Sequence, residues 1–401
     1  MDITPVRIVT LDPPPPRPDR RIAIFVALAA GGFAALSAFA QDEARVEAWF
    51  VHGVGPWLAG LPNLITRGLP FSVAEFVVVG LIIGVLVGLG VLIRGLWRRG
   101  WPSVRQVLRT ALLGIGVALT VADVFLLVWG LSYARPPVEA RWGWDKRPHA
   151  SIEAEELARL ARSLVDEVNE RYLLLHLAPD NFVPTAAPRP WPEIDAAVDR
   201  GFSALQVAHE LHPDLGRSRG LAKRQLFWPV TSWLRIAGFY FPFTAEANVN
   251  TGPPEWQQVF TMAHEKAHQR FVASENEANF YGFLACIYSD DPFVQYGGYL
   301  FAQRQVLRAL ENTDPIAFGR EIRRRLPGVQ RDVNDAYAFW TGFEGPVGNV
   351  SRAVNDAYLR ANGVAGGVQS YGRSLQLVVR YTRDEAGRWP PAPPPVQEET
   401  P

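Results

Sequence analysis

The stretch that decides how this chain is read is Phe260–Phe280, FTMAHEKAHQRFVASENEANF. It contains His264-Glu265-Lys266-Ala267-His268, an HExxH sequence. On a helix, positions i and i+4 share one face, so both imidazoles can reach one ion. Glu265 lies beside them and can approach a metal-bound water as general base. Zinc suits such a set, because nitrogen and oxygen ligands give tetrahedral geometry with an open position. Bound there, the ion lowers the pKa of its water towards ~7 and polarises a carbonyl.

A third ligand must come from nearby, and Glu275 and Glu277 are the candidates. Ser274 suits an N-cap, which would place Glu277 at N3 of a capping box and give it a structural task. Glu275 then falls in the first turn of the next helix, with Asn279 one turn along the same face. Metal-bound histidines offer their second nitrogen to an outer acceptor, a task open to Asn279. The connector QRFVAS is long enough to reverse the chain and set the two helices side by side. The expected ligands are therefore His264, His268 and Glu275, with Glu277 as the alternative. The competing reading is an ordinary polar helix face. Against it, Val259, Phe260, Met262, Ala263 and Ala267, then Ala278, Phe280 and Phe283, are apolar or small. Polar groups embedded among such residues need partners, and a metal supplies one.

Upstream, three apolar runs each approach the ~20 residues that cross a bilayer as a helix: Ile22–Ala40, Phe71–Ile93 and Ala111–Leu131. The first also resembles a signal peptide, with Arg17, Arg20 and Arg21 before it and AFA before Gln41. Both readings put Gln41 outside the cytoplasm. The loop between the second and third runs carries Arg94, Arg98, Arg99, Arg105 and Arg109 and no acid, so it is expected inside. The chain after about Ser132 is then extracytoplasmic. Asp123, within the third run, reads as a proton or ion ligand or as a helix-packing residue.

The remainder reads as a largely helical soluble domain, 132–385. Helices are expected from Ser151, from Trp191 to Leu211, and around the HExxH stretch. Others follow at Phe293–Leu310, Pro315–Arg325, Arg331–Trp340 and Val350–Arg360. His209 and His212, three apart with no third ligand nearby, read as surface or core residues. Gly238–Asn250, GFYFPFTAEANVN, alternates loosely and reads as an extended sheet edge just before the metal helix. On it Glu246, Asn248 and Asn250 share a face and are candidate cleft residues. The proline-rich ends, 1–21 and 386–401, read as a cytoplasmic tail and a disordered tail.

HExxH followed by a glutamate on the next helix resembles the gluzincin metallopeptidases. Their common form is Glu, three residues, then Asp; here Glu275 and Asn279 match the spacing, with Asn in place of Asp. Most of the chain also resembles a family of bacterial membrane proteins known as domain of unknown function 3810. The resemblance rests on WGLSYARPP, GFYFPFTAEANVN, HEKAHQRFVASENEANF, SDDPFVQYGGYL and YLRANGVAGGVQSYGRSLQLV. It implies a zinc peptidase anchored in the inner membrane by several spans, with a mainly α fold and a small β edge. The gluzincin resemblance implies a substrate held as an added strand along Gly238–Asn250 and makes Tyr371, in QSYGR, a candidate oxyanion donor; its other reading is a core tyrosine.

Composition narrows the partners. Over 401 residues the formal charge is zero, so nothing points to nucleic acid. The single cysteine, Cys286, rules out an internal disulfide and a cysteine zinc knuckle. The expected partners are a lipid bilayer and a peptide or protein substrate. The rival function is a non-catalytic zinc module for membrane assembly or sensing. An intramembrane protease fits less well, because Glu265, Lys266, Arg270, Glu275 and Glu277 lie far from any apolar run.

Overall fold

The computed structural model describes residues 20–144, 152–176, 183–361 and 372–384. The protein is mainly helical, and three of its helices, Arg20–Phe39, Val73–Arg98 and Val104–Val128, are long and apolar enough to cross a membrane. The most apolar part of the second has no buried residue. That much exposed apolar surface suits lipid and not water. The first and third spans pack along each other. Gly116 makes the contact possible, since a Cβ there would lie 2.4 Å from the Phe25 ring. Asp123 faces the first span at Gly32, which places it at a helix-packing position.

The loop between the first two spans is itself helical. Val46–Val54 winds as a π-helix and continues into an α-helix, Gly55–Thr66. Beyond the third span lies the helical body. Ala154–Leu175, Trp191–Ala208, Glu255–Gln269, Glu275–Ile287 and Pro292–Thr313 share one continuous core. Proline opens several helices at their first turn, where its missing N–H costs nothing. At Pro292 and Pro315 the preceding Asp291 and Asp314 also cap the free backbone N–H groups. Pro327–Thr341, Pro346–Ala361 and Gly372–Asp384 complete the body. The helix expected from Ser151 begins at Ala154, with Glu153 at its N-cap.

A three-stranded sheet flanks the HExxH helix. Its strands are β1 (Lys223–Arg224), β2 (Gly238–Phe241) and β3 (Glu246–Val249), in the order β1-β3-β2. β2 pairs antiparallel with β3, and β1 pairs parallel. The stretch expected to be one extended edge is therefore a hairpin. It turns back at Pro242–Ala245, where Ala245 takes φ 55°. β3 is the central strand, and among the described residues β1 and β2 are its two edges, β2 the longer.

A second, smaller core joins the membrane part to the body. Val46, Phe50 and Val51 of the loop meet Trp129 and Leu131 after the third span, and Phe271 and Ala273 of the metal-helix connector. Phe50 and Phe271 meet edge to face at 5.6 Å. Burying one such phenylalanine is worth roughly 1.5–3 kcal/mol.

Candidate metal centre

Two helices build the site, and their crossing is set by opposite faces of Glu255–Gln269. On one face Lys266 and Arg270 turn away from the histidines. Lys266 Nζ lies 2.8 Å from Asp195 and 3.1 Å from Asp199, and Arg270 lies 2.7 Å from Asp199, all side chains of the helix Trp191–Ala208. Both cations are buried. The charges that look solvent-exposed in sequence are thus the clamp between two helices. On the other face His264 and His268 point to Glu275. The second helix passes close at Gly282, where a Cβ would lie 3.0 Å from the His264 nitrogen.

The connector closes this geometry. Phe271 adopts φ 63°, a left-handed conformation unfavourable for a bulky residue. The reversal turns the Val272 carbonyl back to His268, whose Nδ1 lies 2.6 Å from it. With Nδ1–H donating to that carbonyl, Nε2 keeps its lone pair for a metal. Arg135 donates to the Phe271 carbonyl at 2.9 Å and holds the turn.

Three donor atoms converge as a result. His264 Nε2 and His268 Nε2 are 3.1 Å apart. Glu275 Oε2 is 3.2 Å from His264 Nε2, and Oε1 is 3.7 Å from His268 Nε2. Ligand bonds of about 2.0–2.1 Å in a tetrahedral site put neighbouring donors about 3.3 Å apart; the two imidazole nitrogens, and Glu275 Oε2 with His264, lie close to that, while Glu275 turns its other oxygen to His268 at 3.7 Å and one donor atom of each residue falls within 4.8 Å of the others. The donor chemistry and spacing therefore fit zinc. The acid and the two imidazoles also shift one another's titration. Burial opposes ionisation of Glu275, but His264 and His268 outweigh it and hold the carboxyl down at about 2. Burial pushes His268 down to about 4. It also disfavours charge on His264, but Glu275 and Glu265 more than compensate and raise it.

Glu265 lies beside the cluster and is itself buried. Its Oε2 has no hydrogen-bond partner. Burial pushes the carboxyl up to about 8, and a bound cation would act in the opposite direction. Gly238, at the start of β2, leaves room for it: a Cβ there would lie 2.7 Å from Glu265 Oε1. The sequence did not single out this glycine.

The other expected residues divide. Asn279 lies beside the His264 ring and favours its protonated form. Glu277 points away from the cluster; it accepts from the Val138 N–H at 3.0 Å and pairs with Arg141. Ser274 is the N-cap but its side chain makes no capping bond, so the expected capping box does not form. Glu246 and Asn248 lie on the central strand and Asn250 just beyond it, and most of their polar groups are engaged in structure, the exception being the buried Asn248 Oδ1, which has no partner among the described residues. Glu246 accepts from the N–H groups of Val73 and Ala74, capping the second span. Asn248 donates to the Phe239 and Glu246 carbonyls. Asn250 donates to Ser232 and the Ile236 carbonyl and accepts from Gly252. Tyr371 lies outside the described residues. Cys286 is fully buried and burial raises its thiol pKa, as expected of a structural cysteine.

Two features had no local signal. Trp129, directly after the third span, donates its indole N–H to the His268 carbonyl at 3.3 Å and sets its ring edge-on to the imidazole at 5.9 Å. His212, expected to lack a third partner, meets His52 and Asp214 in a second cluster. No curated protein and no solved structure matches the chain. One family does match, over residues 50–379, so that both the second and third spans and the His264–His268–Glu275 cluster fall within it; the chain belongs to the protein family of unknown function DUF3810.

Proposed function

We propose that this chain is a zinc metallopeptidase, anchored by its spans in the bacterial inner membrane, that hydrolyses peptide bonds of an envelope protein or peptide outside the cytoplasm. The observation that carries the reading is the convergence of His264 Nε2, His268 Nε2 and Glu275 beside a buried Glu265 oxygen that has no partner. His264, His268 and Glu275 would hold the zinc. When bound, zinc supplies a water with pKa near ~7 and polarises the scissile carbonyl. Glu265 takes the proton of the attacking water and later delivers one to the leaving amine. The Val272 carbonyl orients the His268 imidazole, and Asn279 lies beside His264, whose buried Nδ1 has no hydrogen-bond partner among the described residues. The outer edge of β2, which starts at Glu265, offers backbone groups to an extended peptide. Orientation follows from the arginines between the second and third spans, Arg94 to Arg109. A non-catalytic zinc module leaves the buried Glu265 carboxyl without a use.

Elemental analysis of the purified chain should find about one zinc, as a single four-coordinate site requires. Glu275→Ala should lose it and Glu277→Ala should keep it. Glu265→Gln should retain zinc and abolish cleavage. An envelope proteome that is the same in wild type and Glu265→Gln would end the peptidase reading.

A further inference from the structure

The metal centre abuts the membrane spans. Trp129, one residue beyond the third span, touches His268 through both its indole N–H and its ring. The edge strand β2 extends from the site to the same place. Gly238 borders Glu265, while two residues beyond the strand Phe243 packs 6.5 Å from Phe125 of the third span. Five residues of strand rise at ~3.3 Å each, so the two ends are at most about 17 Å apart.

The surface around the span ends is apolar. The helix Gly55–Thr66 docks on the body through Asn63, which donates to the Arg219 carbonyl, and Thr66, which donates to the Thr244 carbonyl. Its other face presents Trp57, Leu61, Leu64 and Ile65, each more than 60% exposed, at the spacing of one helix stripe. Leu226 and Phe227 are also exposed, and their N–H groups bind Glu75 in the first turn of the second span. Phe243 continues this rim onto the third span. The patch is continuous with helices that lie in lipid, and its helix has the form of an interfacial element.

We infer that this rim rests on the bilayer surface and that the site, read as a peptidase centre, takes the juxtamembrane segment of another membrane-anchored protein. A substrate strand added along β2 leads directly from Glu265 to the lipid. The scissile bond then lies within about ten residues of the substrate's own anchor, given the short span of β2. Substrates without an anchor gain nothing from this arrangement.

The test has two arms on the full chain. In proteoliposomes, nitroxides are placed by Trp57→Cys, Leu61→Cys and Phe243→Cys, with the buried Cys286 left in place. Tyr337→Cys, 70% exposed on Pro327–Thr341, is the aqueous control. The oxygen-to-nickel accessibility ratio should exceed the control by at least about fivefold, as for side chains set ~5–10 Å into the headgroup boundary. A ratio like the control, or low access to both probes as beneath a second copy or another protein, overturns the inference. In the second arm, new N-termini present in the wild-type envelope and absent with Glu265→Gln are mapped. They should cluster near spans or lipid anchors. Termini spread through soluble proteins overturn the substrate assignment and leave the peptidase reading standing. Their complete absence, with lipid-facing labels, overturns the peptidase reading and the substrate assignment with it.

Discussion

Among the described residues two clusters have the inventory of a metal site, and they differ in how their donors are held. His264, His268 and Glu275 form the first; His52, His212 and Asp214 form the second. In the first, two helices fix the donors, and the two Nε2 atoms face each other and the acid. In the second, the donors come from the π-helix and from the segment around His212–Leu215. There the imidazoles stack face to face at 3.5 Å and 27°. Both Nδ1 atoms lie near Asp214 Oδ2, at 3.4 and 3.5 Å, but His212 Nδ1 already accepts the Asp214 backbone N–H at 3.3 Å, so its lone pair is engaged. The acids differ as well. Glu275 has only histidines as ionic partners, whereas Asp214 also faces Arg217 at 3.6 Å and Arg219 at 3.5 Å. Donor proximity is thus a weaker criterion than free lone pairs beside a charge left uncompensated.

The largest effect should separate the clusters. Glu275→Ala should lower zinc affinity by more than the 10–100-fold typical of outer-shell changes and remove activity, while Asp214→Ala leaves one zinc per chain. Zinc loss from Asp214→Ala would reverse the assignment. Next is the clamp that makes the first cluster rigid. Lys266→Ala leaves Asp195 and Asp199 buried with one cation fewer, and breaking such a pair costs about 3–5 kcal/mol. Thermal unfolding in detergent measures it. A change below about 1 kcal/mol would show that the HExxH helix is held by other contacts. Smaller still is Gly238→Ala. Its Cβ must displace Glu265 or the Asn248 carbonyl, which it would approach at 2.7 and 2.9 Å. Misplacing the base by about 1 Å costs up to 10²-fold in kcat, and zinc content should stay unchanged.

The spans and the helix carrying HExxH were legible because their signals are local: a run of ~20 apolar residues and a pair of histidines four apart. The mainly helical body followed from the same periodicities. What sequence did not reveal depends on distant arrivals. Glu246 looks like a cleft residue until the second span, more than 170 positions earlier in the chain, presents its free N–H groups. Glu277 looks like a cap until Arg141 takes its carboxylate. The hairpin turn at Pro242–Ala245 has no glycine to announce it, and Ala245 carries the positive φ. In the helix Gly55–Thr66 the apolar spacing Trp57, Leu61, Leu64, Ile65 was present in sequence but masked by Pro62 inside the helix and by an opposite face with no charge to mark it.

The smallest expected effect tests how the two clusters are connected. Glu47 takes His52 at 3.0 Å and Arg135 at two 2.7 Å contacts, and Arg135 holds the Phe271 carbonyl at the end of the metal helix. The second cluster can therefore steady the first through this relay. Burial opposes the charge on Glu47, but His52 and Arg135 outweigh it and hold the carboxyl well below the usual range. A depressed folded pKa means that the stabilisation is fully present above the unfolded value, about 4.3, and fades as pH falls below it. Glu47→Gln should cost about 1.5–3 kcal/mol at neutral pH, the value of a hydrogen bond to a charged partner. Its stability should then fall less than wild type between about pH 5 and 3. Parallel curves would mean that the relay carries no load. If they converge at low pH while zinc content stays at one, the loop between the first two spans steadies the connector after the HExxH helix without contributing a ligand.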